Sequence, residues 1–104
     1  MPLGKKIIMN GKLFDRSKAE VVYYRASGEA GVDSHWSIET LYHTDNGAFV
    51  LVAEGGRASR YAGDGRDWPG YKVMVMTTGK VIEWAEYNEI EPDVILKYTD
   101  IPAL

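Results

Sequence analysis

The sequence predicts an α+β fold, an antiparallel β-sheet of about four to five strands with one C-terminal amphipathic helix and one or two short helices packed on it. Two hairpin signals, Asn10-Gly11 and Asp45-Asn46-Gly47, each separate stretches of strand-forming residues. A helical pattern of apolar residues follows Thr78. The length of 104 residues predicts a single α+β domain over 1–104.

The N-terminal elements are a small hairpin and a short helix. The hairpin covers Lys6–Phe14 and turns at Asn10-Gly11, because both turn residues tolerate a positive φ. Ser17 and Glu20 have the spacing of a capping box, which marks the start of a helix. We therefore expect a helix over about Arg16–Tyr23, although Val21–Tyr24 are better strand formers.

The middle of the chain predicts the centre of the sheet. Residues of opposite faces alternate along Trp36–Thr44, and Ala48–Glu54 is almost continuously apolar. Both patterns are typical of strands. The second of these strands is apolar on both faces, which predicts a central strand covered on both sides. Lys72–Met76 predicts a further strand, and 26–35 and 55–70 predict loops.

The C-terminal part predicts two helices. The first begins after Thr77 or Thr78 and runs to about Ile90. Its inward positions recur at i, i+3, i+4 and i+7: Val81, Trp84, Ala85 and Asn88. Glu83 and Glu86 are expected to face outward. Pro92–Tyr98 predicts a second, short helix, since proline is tolerated in a first helical turn.

Composition excludes several classes of protein. With 45% apolar and 12% aromatic residues, the chain is too apolar to be intrinsically disordered. Its longest apolar run is six residues, whereas a membrane-spanning helix needs roughly 18. The first residues show no signal segment. The absence of cysteine excludes disulfides and thiolate chemistry. We therefore expect a soluble, cytoplasmic protein with no membrane association.

The formal net charge of −3 is a near-cancellation of four blocks. Residues 1–25 carry +4, residues 26–56 carry −5, residues 57–72 carry +2 and residues 73–104 carry −4. Such blocks predict signed surface patches that steer a charged partner, unless folding interleaves them into a neutral mosaic. Because the total is negative, we do not expect direct binding to nucleic acid.

The first candidate site is the glycine- and arginine-rich segment 55–70. Glycine amides can form a nest for an anion, arginines can bind phosphate or carboxylate, and aromatic side chains can stack on a base. The candidate partner- or anion-binding residues are Gly55, Gly56, Arg57, Ser59, Arg60, Tyr61, Arg66 and Trp68. No phosphate-loop fingerprint occurs here, and the alternative is a surface loop with Trp68 at the edge of the core.

The second candidate site is a series of carboxylates that could face a basic partner and imitate the charge of nucleic acid. Its residues are Glu83, Glu86, Glu89, Glu91 and Asp93. The alternative is an ordinary solvated helix face.

Signals for catalysis and metal binding are absent from the sequence. His35 and His43 do not have a metal-ligand spacing, and we expect His43 to point into solvent or to pair with a carboxylate. Neither a G-x-S-x-G nor an S-x-x-K motif occurs. We therefore predict no enzymatic activity, no metal and no cofactor.

Several segments resemble, in the same order, a family of small, about 100-residue proteins of phages and integrative mobile elements. The first is NGKLFDRSKA at 10–19, which is similar to the family's NGK-aromatic-D-T-x-T-A opening. The others are ETLY at 39–42, GAFVL at 47–51, EGGRASRYA at 54–62 and IEWAE at 82–86. Gly63-Asp-Gly-Arg-Asp67 departs from the serine- or asparagine-rich stretch of the family, and Met76–Val81 lacks its acidic first helical turn.

The resemblance implies a non-enzymatic binding protein, in the cytoplasm of a bacterial host cell, that inhibits a host defence protein or ribonucleoprotein complex, as anti-CRISPR proteins do. Two alternatives stay open. One is a small-ligand module that holds a nucleotide or phosphate in the 55–70 loop, and the other is a DNA-binding regulator. Strands that are apolar on both faces also leave room for a homodimer.

Overall fold

The computed structural model describes residues 5–28, 35–56 and 70–104. In these residues, a four-stranded antiparallel sheet in the order β3-β4-β5-β6 lies between a hairpin, β1-β2, and two helices. The elements are β1 (Lys6–Met9), β2 (Lys12–Asp15), β3 (Glu20–Ser27), β4 (Ser37–His43), β5 (Phe49–Gly55), β6 (Gly70–Met76), α1 (Thr78–Tyr87) and α2 (Pro92–Leu96). The α+β fold class is confirmed.

Strands β1 and β2 form the predicted N-terminal hairpin. Asn10 and Gly11 connect them with φ angles of 50° and 74°, the positive values that a tight turn of this type requires. Ile7 pairs with Phe14 across the hairpin. Because side chains alternate along a strand, Phe14 is buried against the sheet while its neighbour Leu13 is exposed.

The prediction of a helix over Arg16–Tyr23 is wrong. A 3-10 turn spans Arg16–Lys18 only, and the Asp15 carboxylate caps it by accepting a hydrogen bond from the Ser17 amide at 3.0 Å. Glu20 begins β3 instead of completing a capping box. The β-branched and aromatic residues at 21–24 suit a strand, and seven residue pairs with β4 outweigh a weak helix-start signal.

Strands β4 and β5 are the predicted central hairpin. Gly47 has a φ of 83° in the turn, and the Thr44 amide donates to the Ala48 carbonyl at 2.9 Å. Leu41 lies opposite Leu51 in the register. Leu51 and its neighbour Val52 are 3% and 5% exposed, so β5 is covered on both faces as predicted.

The helices cover one face of the sheet. The core between them and the sheet contains Leu41, Phe49, Leu51, Val81, Trp84, Ala85, Ile90 and Ile95. Thr77 caps α1, its hydroxyl accepting from the Lys80 amide at 3.2 Å. The helix ends at Tyr87, short of the predicted Ile90, because Glu89 takes a left-handed conformation with a φ of 54°.

The hairpin covers the opposite face of the sheet. Phe14 packs there against Tyr42, Val50 and Val52, and its ring meets that of Tyr42 edge-to-face at 5.5 Å between centroids. The middle of the sheet is therefore protected from water on both sides, which leaves functional contacts to its edges, its ends and the outer surface of the helices.

Candidate functional site

A buried polar cluster joins β3, β4 and α1 on the helix side of the sheet. Glu39 is only 2% exposed and lies opposite Arg25 in the register. Arg25 Nη1 donates to Glu39 Oε1 at 2.9 Å, and Trp84 Nε1 donates to Glu39 Oε2 at 3.2 Å. Both oxygens of the buried carboxylate therefore accept a hydrogen bond, as burial of a charge requires.

Asn88 extends this cluster to the end of α1. Its Oδ1 accepts from Arg25 Nη1 at 2.7 Å, and its Nδ2 donates to the Trp84 carbonyl at 2.8 Å. The cluster ties an edge strand to the central sheet and to the helix, so we assign it a structural role. Sequence reasoning missed it, although Glu39 shares a strand face with apolar Leu41 and so signals a buried charge.

The glycine- and arginine-rich segment is described only at its ends. Gly55 is the last residue of β5 and pairs with Gly70 of β6. The Gly56 amide donates to the Trp36 carbonyl at 2.9 Å, so this predicted anion donor is hydrogen-bonded within the chain. The remaining candidates lie outside the described residues: Arg57, Ser59, Arg60, Tyr61, Arg66 and Trp68.

The predicted carboxylates follow one another along α1, the turn after it and the start of α2. We call Glu83, Glu86, Glu89, Glu91 and Asp93 the acidic surface. All five are exposed, as predicted for Glu83 and Glu86. Their only ion pair with a described residue is the one between Glu83 and Lys80, at 3.7 Å and in solvent, where such a pair contributes little. The acidic surface thus keeps its charge available to a partner.

The backbone at the end of α1 presents Glu89 in an unusual way. The Ile90 amide donates to the Ala85 carbonyl at 2.9 Å, and the Glu89 amide donates to the Glu86 carbonyl at 3.2 Å. These two bonds form a Schellman motif, whose left-handed residue is usually glycine. Here that residue is Glu89, with a φ of 54°. The backbone of Glu89 is therefore strained, at a position where glycine would be more stable.

Part of the acidic surface has a local structural explanation. Pro92 begins α2, and Asp93 lies in its first turn, where a negative charge interacts favourably with the helix dipole. Glu91 is the residue before the helix, but its side chain makes no capping hydrogen bond. Asp93 thus suits the helix start, whereas Glu91 makes no such contribution.

Tyr87, which sequence reasoning did not select, lies beside the acidic surface. It is 78% exposed at the last position of α1. It also lines a cleft of about 710 Å³ between α1 and β6, together with Met74, Met76, Lys72 and Glu83. The cleft combines apolar walls with both signs of charge at its rim, a composition suited to protein contacts.

The prediction that His43 points into solvent or pairs with a carboxylate is wrong, because among the described residues its ring packs against aromatic side chains. His43 is half-buried, with its ring centroid 5.0 Å from that of Phe49 and 4.8 Å from that of Tyr98. The reason is that His43 lies on the strand face covered by the helices and the residues after them. Two aromatic rings therefore pack against the imidazole.

Tyr98 links the C-terminal segment to the start of β3. Its hydroxyl donates to a carboxylate oxygen of Glu20. This hydrogen bond, followed by burial and by the negative charge of Glu20, raises the pKa of Tyr98 above its ordinary value. In contrast, the hydrogen bond from the Ser17 hydroxyl lowers the pKa of Asp15.

No group of three or more histidine and carboxylate side chains is placed to hold a metal ion within 5–28, 35–56 and 70–104. In the same ranges, neither helix has the length and apolar character needed to cross a bilayer.

The chain matches no protein-family model. The comparisons with curated proteins and with solved structures likewise found no similar chain. The resemblance to small proteins of phages and mobile elements therefore stays a prediction, and the functional argument depends on the surface chemistry described above.

Proposed function

We propose that this chain is a non-enzymatic binding protein that contacts a basic surface of a protein partner through Tyr87 and the acidic surface. The observation that carries the proposal is the 78% exposure of Tyr87 on the same helix as the exposed Glu83 and Glu86. Tyrosines dominate the binding energy of many protein interfaces, because a rigid ring buries a large area at a small entropic cost.

The charge of the acidic surface defines the partner. Four of its five carboxylates form no ion pair with a described residue, so they need not break an existing contact to bind lysine or arginine. Complementary charges also accelerate the encounter with a basic partner and exclude acidic ones. The partner that we propose therefore presents arginines and lysines around a site that accepts an aromatic ring.

The resemblance extends this proposal to a host defence complex, in particular a CRISPR nuclease assembly. Such complexes hold nucleic acid in positively charged channels. A row of carboxylates has the same sign of charge as the phosphate backbone, so it can occupy such a channel and exclude the nucleic acid. Inhibition would then need no chemistry by the chain itself.

Co-purification and DNA-cleavage assays with a panel of defence nucleases test the proposal. We expect a complex that protects the DNA, and we expect Tyr87→Ala and Glu86→Lys each to weaken binding about tenfold. Asp45→Lys is the matched control, because it makes the same charge change at an exposed residue of the β4–β5 turn. Absence of any complex, or equal weakening by Asp45→Lys and Glu86→Lys, would contradict the proposal.

A further inference from the structure

The two edges of the central sheet differ in how they are covered. On the β3 edge, the register shifts between Val21 and Tyr23, α2 packs nearby, and Tyr98 donates a hydrogen bond to Glu20. On the other edge, β6 pairs with β5 along its length, and no described residue pairs with its outer side. The outer N–H and C=O groups of β6 are therefore free of strand partners in the part of the chain that the structure describes.

The composition of β6 offers little protection to this edge. The seven residues Gly70–Met76 contain no proline, and their single charge is Lys72. Monomeric proteins commonly guard such edges with charges, prolines, bulges or very short strands, because an unpaired edge recruits another strand. Both Tyr71 and Val75 are also about half-exposed, at 47% and 49%, on the same strand face.

We propose that β6 pairs antiparallel with β6 of a second copy of this chain, with the two-fold axis at Val73. In this register Tyr71 lies opposite Val75 of the second copy, and Val75 lies opposite Tyr71 of the second copy. An aromatic residue opposite a β-branched one is a favourable cross-strand pair. The two exposed apolar residues are equidistant from Val73 along the strand, so the edge is complementary to itself.

The charges near the edge fit the same arrangement. The register places Lys72 opposite Met74 of the second copy, so the two Lys72 side chains are not directly opposed. Met74 lines one cleft together with Lys72, Lys80 and Glu83, so this side of the edge presents charges of both signs. A surface that carries both signs can pair with a copy of itself, so these charges are compatible with a second copy as the occupant.

The pairing extends the four-stranded sheet of each copy into one sheet of eight strands. A stable interface buries roughly 1,200 Å² or more, which exceeds what backbone pairing of two short strands supplies. The contacts of Tyr71 and Val75 must therefore contribute to the dimer. This dimer does not depend on the proposed function, but it would present two acidic surfaces to a partner and so raise avidity.

Sedimentation velocity over a range of concentrations tests the dimer. We expect the wild-type chain to reach twice its 11.6 kDa mass, and Val75→Lys to raise the dissociation constant at least about tenfold. Val21→Lys is the matched control, because Val21 is 53% exposed on the β3 edge, and it should leave the dimer intact. Circular dichroism checks that both variants fold.

A cross-linking experiment tests the register independently. The chain contains no cysteine, so introduced cysteines are the only ones present. Opposed residues of antiparallel strands have a Cα separation that a disulfide can span. We expect the double variant Tyr71→Cys/Val75→Cys to cross-link on oxidation and each single variant to stay uncross-linked.

Either of two results would overturn the proposal. One is a wild-type chain that stays monomeric at the highest concentration, which would direct attention to an extended segment of another protein as the strand that pairs with β6. The other is a Val75→Lys variant that dimerises as tightly as the wild type, because the interface would then lie elsewhere on the molecule.

Discussion

Carboxylates lie on both sides of helix α1, and the carboxylates of the two sides differ in burial and in hydrogen bonding. On the sheet side, Glu39 is 2% exposed and accepts hydrogen bonds from Arg25 and Trp84. On the solvent side, the acidic surface is exposed, and its one ion pair with a described residue is the weak contact between Lys80 and Glu83. A glutamate whose oxygens accept hydrogen bonds within the chain therefore stabilises the fold. An exposed glutamate without such hydrogen bonds remains available to a partner.

The largest expected effect on stability comes from removing the buried carboxylate of Glu39. Glu39→Ala should lower the free energy of unfolding by about 3 kcal/mol, because the Trp84 Nε1–H loses its acceptor and the Arg25 guanidinium loses its carboxylate partner and keeps Asn88 Oδ1. The Arg25 side chain is 37% exposed, so water compensates part of its loss. Urea denaturation monitored by tryptophan fluorescence measures the change.

Glu39→Gln is the control for this experiment. The amide keeps one carbonyl oxygen as an acceptor, so we expect a smaller loss than for Glu39→Ala. If the two variants lost the same free energy, the hydrogen bonds to the carboxylate would not be the source of the stabilisation.

For an exposed carboxylate, Glu89, we expect a substitution to stabilise the fold instead of destabilising it. Glu89→Gly should raise the free energy of unfolding by about 1 kcal/mol, because glycine adopts a φ of 54° without a steric penalty. It should also weaken binding to a basic partner, since a charge is lost from the acidic surface. Chemical denaturation and a partner-binding assay measure the two effects on the same variant.

Glu86→Gly is the control, because the same substitution should here lower the free energy of unfolding. Glu86 lies within α1, where glycine is disfavoured by about 1 kcal/mol. Two variants with equal effects on stability would show that the left-handed conformation of Glu89 is not a source of strain.

The smallest expected effect concerns Glu20, a carboxylate intermediate between these two extremes. Tyr98→Phe removes its hydrogen bond and should cost about 0.5 kcal/mol at neutral pH, because solvent competes at this exposed position. The folded pKa of Tyr98 is raised above the ordinary 10.0, so its stabilisation is fully present below pH 10 and is lost as pH rises above it. The difference in unfolding free energy between wild type and variant should therefore shrink above pH 10, and a constant difference would contradict this origin.

Local signals predicted most of the elements. Asn10-Gly11 and Asp45-Asn46-Gly47 located both hairpins, since a positive φ is a property of the turn residues themselves. The apolar run at 48–54 indicated a strand covered on both faces, and burial of Leu51 and Val52 confirms it. The helix expected at Arg16–Tyr23 failed because pairing with β4, a distant partner, outweighed a local capping pattern.

The candidate sites were predictable to different extents. Exposure of Glu83 and Glu86 followed from helical spacing alone. Tyr87 was missed, although it lies four residues after the outward-facing Glu83 and helical spacing therefore predicts its exposure. The strain at Glu89 was not accessible from the sequence, since the Schellman motif depends on where α1 ends and on burial of Ile90.

The sequence by itself determined the α+β class, the two hairpin turns, the strands β4, β5 and β6, and the C-terminal helices, because these depend on interactions between near neighbours. Only the tertiary structure decided that Glu39 is buried and hydrogen-bonded, that the β3 strand forms one edge of the sheet, and that aromatic rings pack against His43. These properties depend on contacts between residues far apart in sequence, such as Arg25 with Asn88 and Glu20 with Tyr98. Such contacts are set by the packing of elements against one another, which no local pattern of residues records.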